Sequence, residues 1–201
     1  IVIDRLLASL VVDPIDWDSM TIGDRNCIMI AARIMGYGKD YKFAFTCPAC
    51  DHTDKNQSVD LTKFNYKKID FSKFEPNTPY FTYILPQTNV EYKLRLVTYG
   101  LETAITNEIN ALKELSPESD HEVSTRLKHV IVSIDGNSDI GFIRAHVDQL
   151  RSLHSRELRK AIRDLTPDVD RTATITCTKC RHQEEAVIHM DATFFWPDVR
   201  S

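Results

Sequence analysis

Glycine is scarce in this chain, with six in 201 residues, and no run brings several together. A loop that cradles phosphate needs such a run, because backbone N–H groups must approach the anion with no side chains between. The sequence also has no HExxH and no GxSxG, so the commonest zinc-protease and nucleophile-elbow signatures are missing. Neither sign of charge dominates: 25 Lys and Arg stand against 29 Asp and Glu, a formal net charge of -4. That balance removes any global electrostatic reason to seek nucleic acid or an anionic membrane. No apolar run approaches the roughly 20 residues of a membrane-spanning helix. The best candidate, IVIDRLLASLVV, is too short and carries Asp4 and Arg5. It also lacks the basic region and small-residue cleavage site of a signal peptide.

What is present is enough for a packed fold. Apolar residues make up 42% of the chain, which excludes wholesale disorder. Four of the five cysteines stand in two Cys-x-x-Cys pairs, TCPAC at 46–50 and TCTKC at 176–180. In a reducing compartment such pairs mean metal or redox chemistry more often than disulfides. A structural zinc takes four thiolate or imidazole ligands in a tetrahedron, and each Cys-x-x-Cys turn supplies two from one tight loop. Cys47, Cys50, Cys177 and Cys180 are therefore assigned to one zinc ion. Two unrelated pairs of buried thiols are the bland alternative. A thioredoxin-type redox pair should open a helix after a strand, and DHTDKNQSVD does not read as one. His52 and His182 follow the pairs closely and are substitute ligands on spacing, but exposed loop residues on composition. Four cysteines close the metal's shell, so its expected role is structural rather than catalytic. The residue after each second cysteine favours positive φ, which Asp51 tolerates better than Arg181. A crosslink closing a loop of about a hundred residues contributes roughly 5 kcal/mol by chain entropy. The pairs are far apart because they clamp what lies between. Cys27, without a neighbouring thiol, reads as a small core residue.

The hydrophobic pattern predicts an α+β fold: a split zinc ribbon framing an inserted β-hairpin and four helices. Residues 1–40 form an N-terminal helical segment, with a first helix before Pro14. A second carries Cys27, Ile30, Ala31 and Ile34 on one face and stops at Gly36 and Gly38. Residues 41–62 and 172–197 form the two halves of the ribbon, with YKFAFT, NQSVDLT, TATIT and EEAVIHM as strands. Residues 63–77 read as a linker. Residues 78–168 form the inserted domain. It opens with a hairpin on Phe81, Tyr83 and Leu85 and on Tyr92, Leu94 and Leu96. Four helical stripes follow: Leu101, Ile105, Ile109 and Leu112; Val123, Leu127, Val130 and Ile134; Ile140, Ile143, Val147 and Leu150; Leu158, Ala161, Ile162 and Leu165. Ser138 and Ser155 are the expected caps of the last two. The pairs Glu184 with Glu185 and Asp168 with Asp170 read as solvated or turn residues. So does the basic face of Arg156, Arg159, Lys160 and Arg163, with Glu157 and Asp164 interleaved. Phe194, Phe195 and Trp196 with Pro197 concentrate aromatic area at the C-terminus, as core closure or as an anchor for a partner.

The order IGDRNCIMIAARIMGYG, CPAC, FTYILPQTNVEYKLRLVT, IDGNSDIGFIRAHVDQL, HSRELRKAI, CTKC and FFWP resembles the T4-type phage baseplate protein family, the baseplate hub assembly proteins of contractile-tailed bacteriophages. The likeness runs from about Met20 to Pro197. It implies a non-enzymatic structural or chaperone-like part in building the baseplate hub, in the host cytoplasm during assembly and in the virion. It also implies the same four cysteines as metal ligands and other phage baseplate or hub proteins as partners, with no nucleic acid and no membrane span. The alternative is a nucleic-acid-binding zinc-ribbon accessory module. Against it stand the negative net charge and the lack of a basic, aromatic-interleaved stripe.

Overall fold

The structure, a computed structural model, describes residues 2–13, 15–118 and 121–196. Ile1, Pro14 and Pro197, which enter the sequence expectations, lie outside them. The chain divides into two compact units. The first comprises Ile1–Ile15, Gly23–Lys67 and Asp168–Ser201; the second comprises Asp16–Ile22 and Lys68–Pro167. No helix among the described residues is long and apolar enough to cross a membrane.

In the first unit, helix α1 (Val2–Leu10) and helix α2 (Ile22–Tyr37) precede two separate hairpins. Strand β1 (Asp40–Thr46) pairs antiparallel with β2 (Thr53–Asp60). Gly38 lets the chain leave α2: its φ is +84°, and its N–H donates to the Ile34 carbonyl at 2.9 Å, a left-handed helix end that suits glycine. Gly36, also expected as a stop, lies inside the helix. Along β1 the period-two pattern turns Tyr41, Phe43 and Phe45 to the more buried face. The chain departs through β3 (Asn65–Tyr66) and re-enters through β7 (Val169–Asp170). These two short strands pair with each other, so exit and return are held side by side. Strands β8 (Thr172–Thr176) and β9 (Gln183–Val187) form the second hairpin, and the single turn α7 (Ala192–Phe195) follows. The buried face of α2 consists of Met29, Ile30 and Arg33, while Ala31 is exposed. The expected stripe through Cys27, Ile30, Ala31 and Ile34 is thus rotated, and it turns a charged residue inward.

The second unit has a three-stranded antiparallel sheet: β4 (Tyr80–Ile84), β5 (Glu91–Arg95) and β6 (Ile131–Ile134) in that order. Four helices accompany it: α3 (Tyr99–Leu115), α4 (Glu122–Val130), α5 (Ile140–Asp148) and α6 (Ser152–Leu165). Phe81, Leu85, Tyr92 and Leu94 from the hairpin join Leu127, Val130, Ile131, Ile143, Val147 and Leu158 in one buried cluster. The helical stripe ending at Ile134 is corrected here. Helix α4 stops at Val130, and Ile131–Ile134 becomes a strand beside β5. Three of its four residues are β-branched, which favours a strand. Pairing with β5 supplies backbone partners that the helix end would lack.

The caps differ too. Asp139, not Ser138, caps α5 by accepting from the Phe142 N–H at 2.7 Å. Helix α6 begins at Ser152, ahead of Ser155. Phe74, in the expected linker, packs edge-on against Phe81 at 5.4 Å. The segment 16–22 also belongs to this unit. The Tyr99 N–H donates to the Met20 carbonyl and the Gly100 N–H to the Asp18 carbonyl, at 2.9 and 3.1 Å. A Cβ at Gly100 would stand 3.0 Å from the Asp18 Cβ and 3.2 Å from its carbonyl oxygen, so the close approach there favours glycine.

A four-cysteine candidate metal centre

Each Cys-x-x-Cys turn is made by the end of one strand and the start of the next. The Cys47 N–H donates to the His52 carbonyl, and the Asp51 N–H to the Cys47 carbonyl, both at 2.9 Å. The second turn repeats the pattern: Cys177 N–H to the His182 carbonyl at 2.8 Å, and Arg181 N–H to the Cys177 carbonyl at 3.1 Å. Asp51 has φ +54° and Arg181 +64°. Arginine pays the steric penalty that glycine avoids, yet the two turns are built alike.

This shared geometry points all four sulfurs into one space. The Cys47 Sγ lies 3.7 Å from the Cys180 Sγ, and the Cys50 Sγ 3.8 Å from the Cys177 Sγ. All four sulfurs lie within 4.8 Å of one another. Among the described residues this is the group of His, Cys, Asp and Glu close enough to hold a metal ion. Neither histidine ring joins it. His52 and His182 contribute their carbonyls to the turns, and the His182 Nε2 lies 3.2 Å from Glu184 on the surface. Cys47 and Cys177 are buried, Cys50 is half-buried and Cys180 is exposed.

The two hairpins are also joined by hydrogen bonds that sequence spacing did not reveal. Gln57 donates to the Thr176 carbonyl, and the Thr178 hydroxyl to the Asp54 carboxylate, each at 3.1 Å. The Asn56 backbone N–H holds the Asp54 carboxyl below its ordinary range, with help from Thr178. The thiols are not equivalent. The backbone N–H of Cys180, with that of Lys179, brings the Cys177 thiol down to about 6. The His52 N–H pulls Cys50 down as well, but neighbouring thiols and burial outweigh it and push it up to about 12. Burial raises Cys47. A bound cation would stabilise the thiolates, since metal binding displaces their protons.

Cys27 lies outside this cluster and is half-buried in α2; burial and Asp24 raise its thiol. The aromatic terminus divides. Phe194 and Phe195 are 0% and 2% exposed. Phe194 packs on Tyr41 at 5.0 Å and edge-on to Phe195 at 5.2 Å, so both rings are core of the first unit. Trp196 is half-buried, at 6.0 Å from Phe195.

A family model described as T4 bacteriophage base plate protein matches residues 2–196. No curated protein and no solved structure matches the chain.

Proposed function

Because the chain belongs to the T4 bacteriophage base plate protein family, we propose that it is a non-enzymatic structural or assembly protein of a contractile tail's baseplate hub, held together by one structural zinc. The family match over residues 2–196 carries the baseplate part of this reading. It implies other phage proteins as partners and the tail as the destination, with the host cytoplasm as the place of assembly. The metal part is supported by the cysteine cluster. Four thiolates about 2.3 Å from a tetrahedral zinc stand about 3.8 Å from one another, and the separations of 3.7 and 3.8 Å match that spacing.

In this reading Cys47, Cys50, Cys177 and Cys180 are the ligands, and the two hairpins are the halves of a split zinc ribbon. The domain between them is an insertion that the ribbon frames. A closed set of four sulfurs leaves no position for a reacting water, which favours a structural role over a hydrolytic one. Two measurements test the proposal separately. X-ray absorption on protein purified under reducing conditions is expected to give one zinc with four sulfur neighbours; nitrogen or oxygen in the shell would replace a cysteine. Mass spectrometry of baseplate intermediates and purified virions is expected to find the chain in at least the intermediates; its absence from both would remove the baseplate role.

A further inference from the structure

Helix α2 turns Arg33 inward, where the hydrophobic pattern calls for an apolar side chain. Arg33 is 5% exposed, and its Nε and Nη1 have no hydrogen-bond partner among the described residues. The guanidinium lies 4.3 Å from the centre of the Tyr37 ring, 5.7 Å from Tyr41 and 6.0 Å from Phe194. Burial lowers its pKa, and the groups that oppose this are Tyr37 and Tyr41, with no carboxylate among them. Aromatic faces recover part of the cost of burying a cation. They do not satisfy its N–H donors, and an unpaired buried charge is unfavourable.

The same helix also borders an apolar groove of about 480 Å³, together with α1 and the aromatic terminus. Leu10, Met35 and Tyr37 line it from the helices, and Phe195 and Trp196 from the terminus. Met35 is 87% exposed and Leu10 54%, so large apolar side chains face water here. None of the described residues lining the groove is charged. Tyr37 belongs to both features. Its ring covers the Arg33 guanidinium and also forms part of the groove wall, and it is itself 54% exposed.

We propose that this groove receives an amphipathic helical segment of another baseplate protein, and that an aspartate or glutamate of that segment pairs with Arg33. The inference rests on the reading of the chain as a baseplate interaction protein. Apolar side chains one helical turn apart suit a groove of this kind. The two open donors of Arg33 suit the two oxygens of a carboxylate, which a guanidinium binds in a forked geometry. Admitting it requires the Tyr37 ring, 54% exposed, to move aside. The carboxylate then satisfies donors that the described residues leave without a partner, so specificity comes from the acid and contact area from the groove.

The test uses the full chain and synthetic peptides of about 15 residues, long enough for a helix, covering the same phage's other baseplate proteins. Binding is read by fluorescence anisotropy. The expected hit carries apolar residues at helical spacing and one acid. Changing that acid to its amide weakens binding roughly tenfold or more. Met35→Asp removes binding without unfolding the protein. Arg33→Met weakens binding to the same degree as the amide, yet leaves the free protein's melting temperature unchanged or higher. Several results would overturn the proposal: no peptide binding, binding indifferent to the acid, or self-association that Met35→Asp abolishes. A sharp fall in melting temperature for Arg33→Met, with Met35→Asp binding normally, would make Arg33 a purely structural residue. Virions containing the Met35→Asp chain as readily as wild type would remove the groove and leave the baseplate role. Absence of the wild-type chain from virions and intermediates would remove that role itself.

Discussion

The two units of this chain are built differently. The second buries a continuous cluster of Leu, Ile, Val and aromatic side chains from a sheet and its helices. The first has two hairpins whose strands alternate buried or half-buried with exposed residues for much of their length. Its four sulfurs meet in one place, and Tyr41, Phe194 and Phe195 form its aromatic centre. A two-stranded hairpin alone is at best marginal in water. The first unit sets two of them beside α1 and α2, and a metal held by the four sulfurs would tie the two hairpins together. In the proposed reading the second unit rests on burial, and the first adds a metal crosslink to the burial of residues such as Met29, Ile30, Leu61 and Phe194.

Removing the crosslink is expected to have the largest effect on this contrast. Replacing Cys177 with serine removes one of the four candidate ligands, and metal content should fall from one ion per chain to a small fraction. The hairpins should become sensitive to protease while the sheet of the second unit stays resistant; equal sensitivity of both units would erase the distinction. Core truncation comes next. Phe194→Ala should cost about 3–5 kcal/mol, and Leu94→Ala about 2–5 kcal/mol, by denaturant unfolding. The informative result is that a chelator adds to the first loss and leaves the second unchanged.

Acid should act on the second unit through Glu108. The His129 ring, 2.7 Å away, holds this carboxyl below its usual range, with Arg144 also contributing. A folded pKa below the unfolded one gives stability that is present above about 4.5 and is lost as the pH falls through the folded value. Glu108→Gln should flatten that acid limb of the melting curve. A smaller effect belongs to the forked pair of Arg126 with Glu102, at 2.7 Å on both arms. Arg126→Ala should cost about 0.2–1 kcal/mol, because both side chains reach solvent.

Much of this architecture was legible in the sequence where a local rule acts alone. The spacing of the cysteines identified the cluster, and helical periodicity located α3 and α6. Other features depend on partners far away in sequence. Ile134 fits the α4 stripe, and only its pairing with Tyr92 makes it a strand residue. Residues 16–22 carry no signal that they bond to the start of α3. Arg33 sits in an apolar stretch with no local signal of burial, because its aromatic surroundings come from β1 and the C-terminus as well as its own helix. The FFW sequence offered core closure or a partner anchor, and only the packing on Tyr41 separates Phe194 and Phe195 from Trp196.

Hydrogen exchange of the intact protein before and after chelation tests the central claim most directly. Amides of residues 40–60 and 172–187 should lose protection when the metal is removed, while those of β4, β5 and β6 keep theirs. Protection that is unchanged in the hairpins, or lost equally in both units, would contradict it.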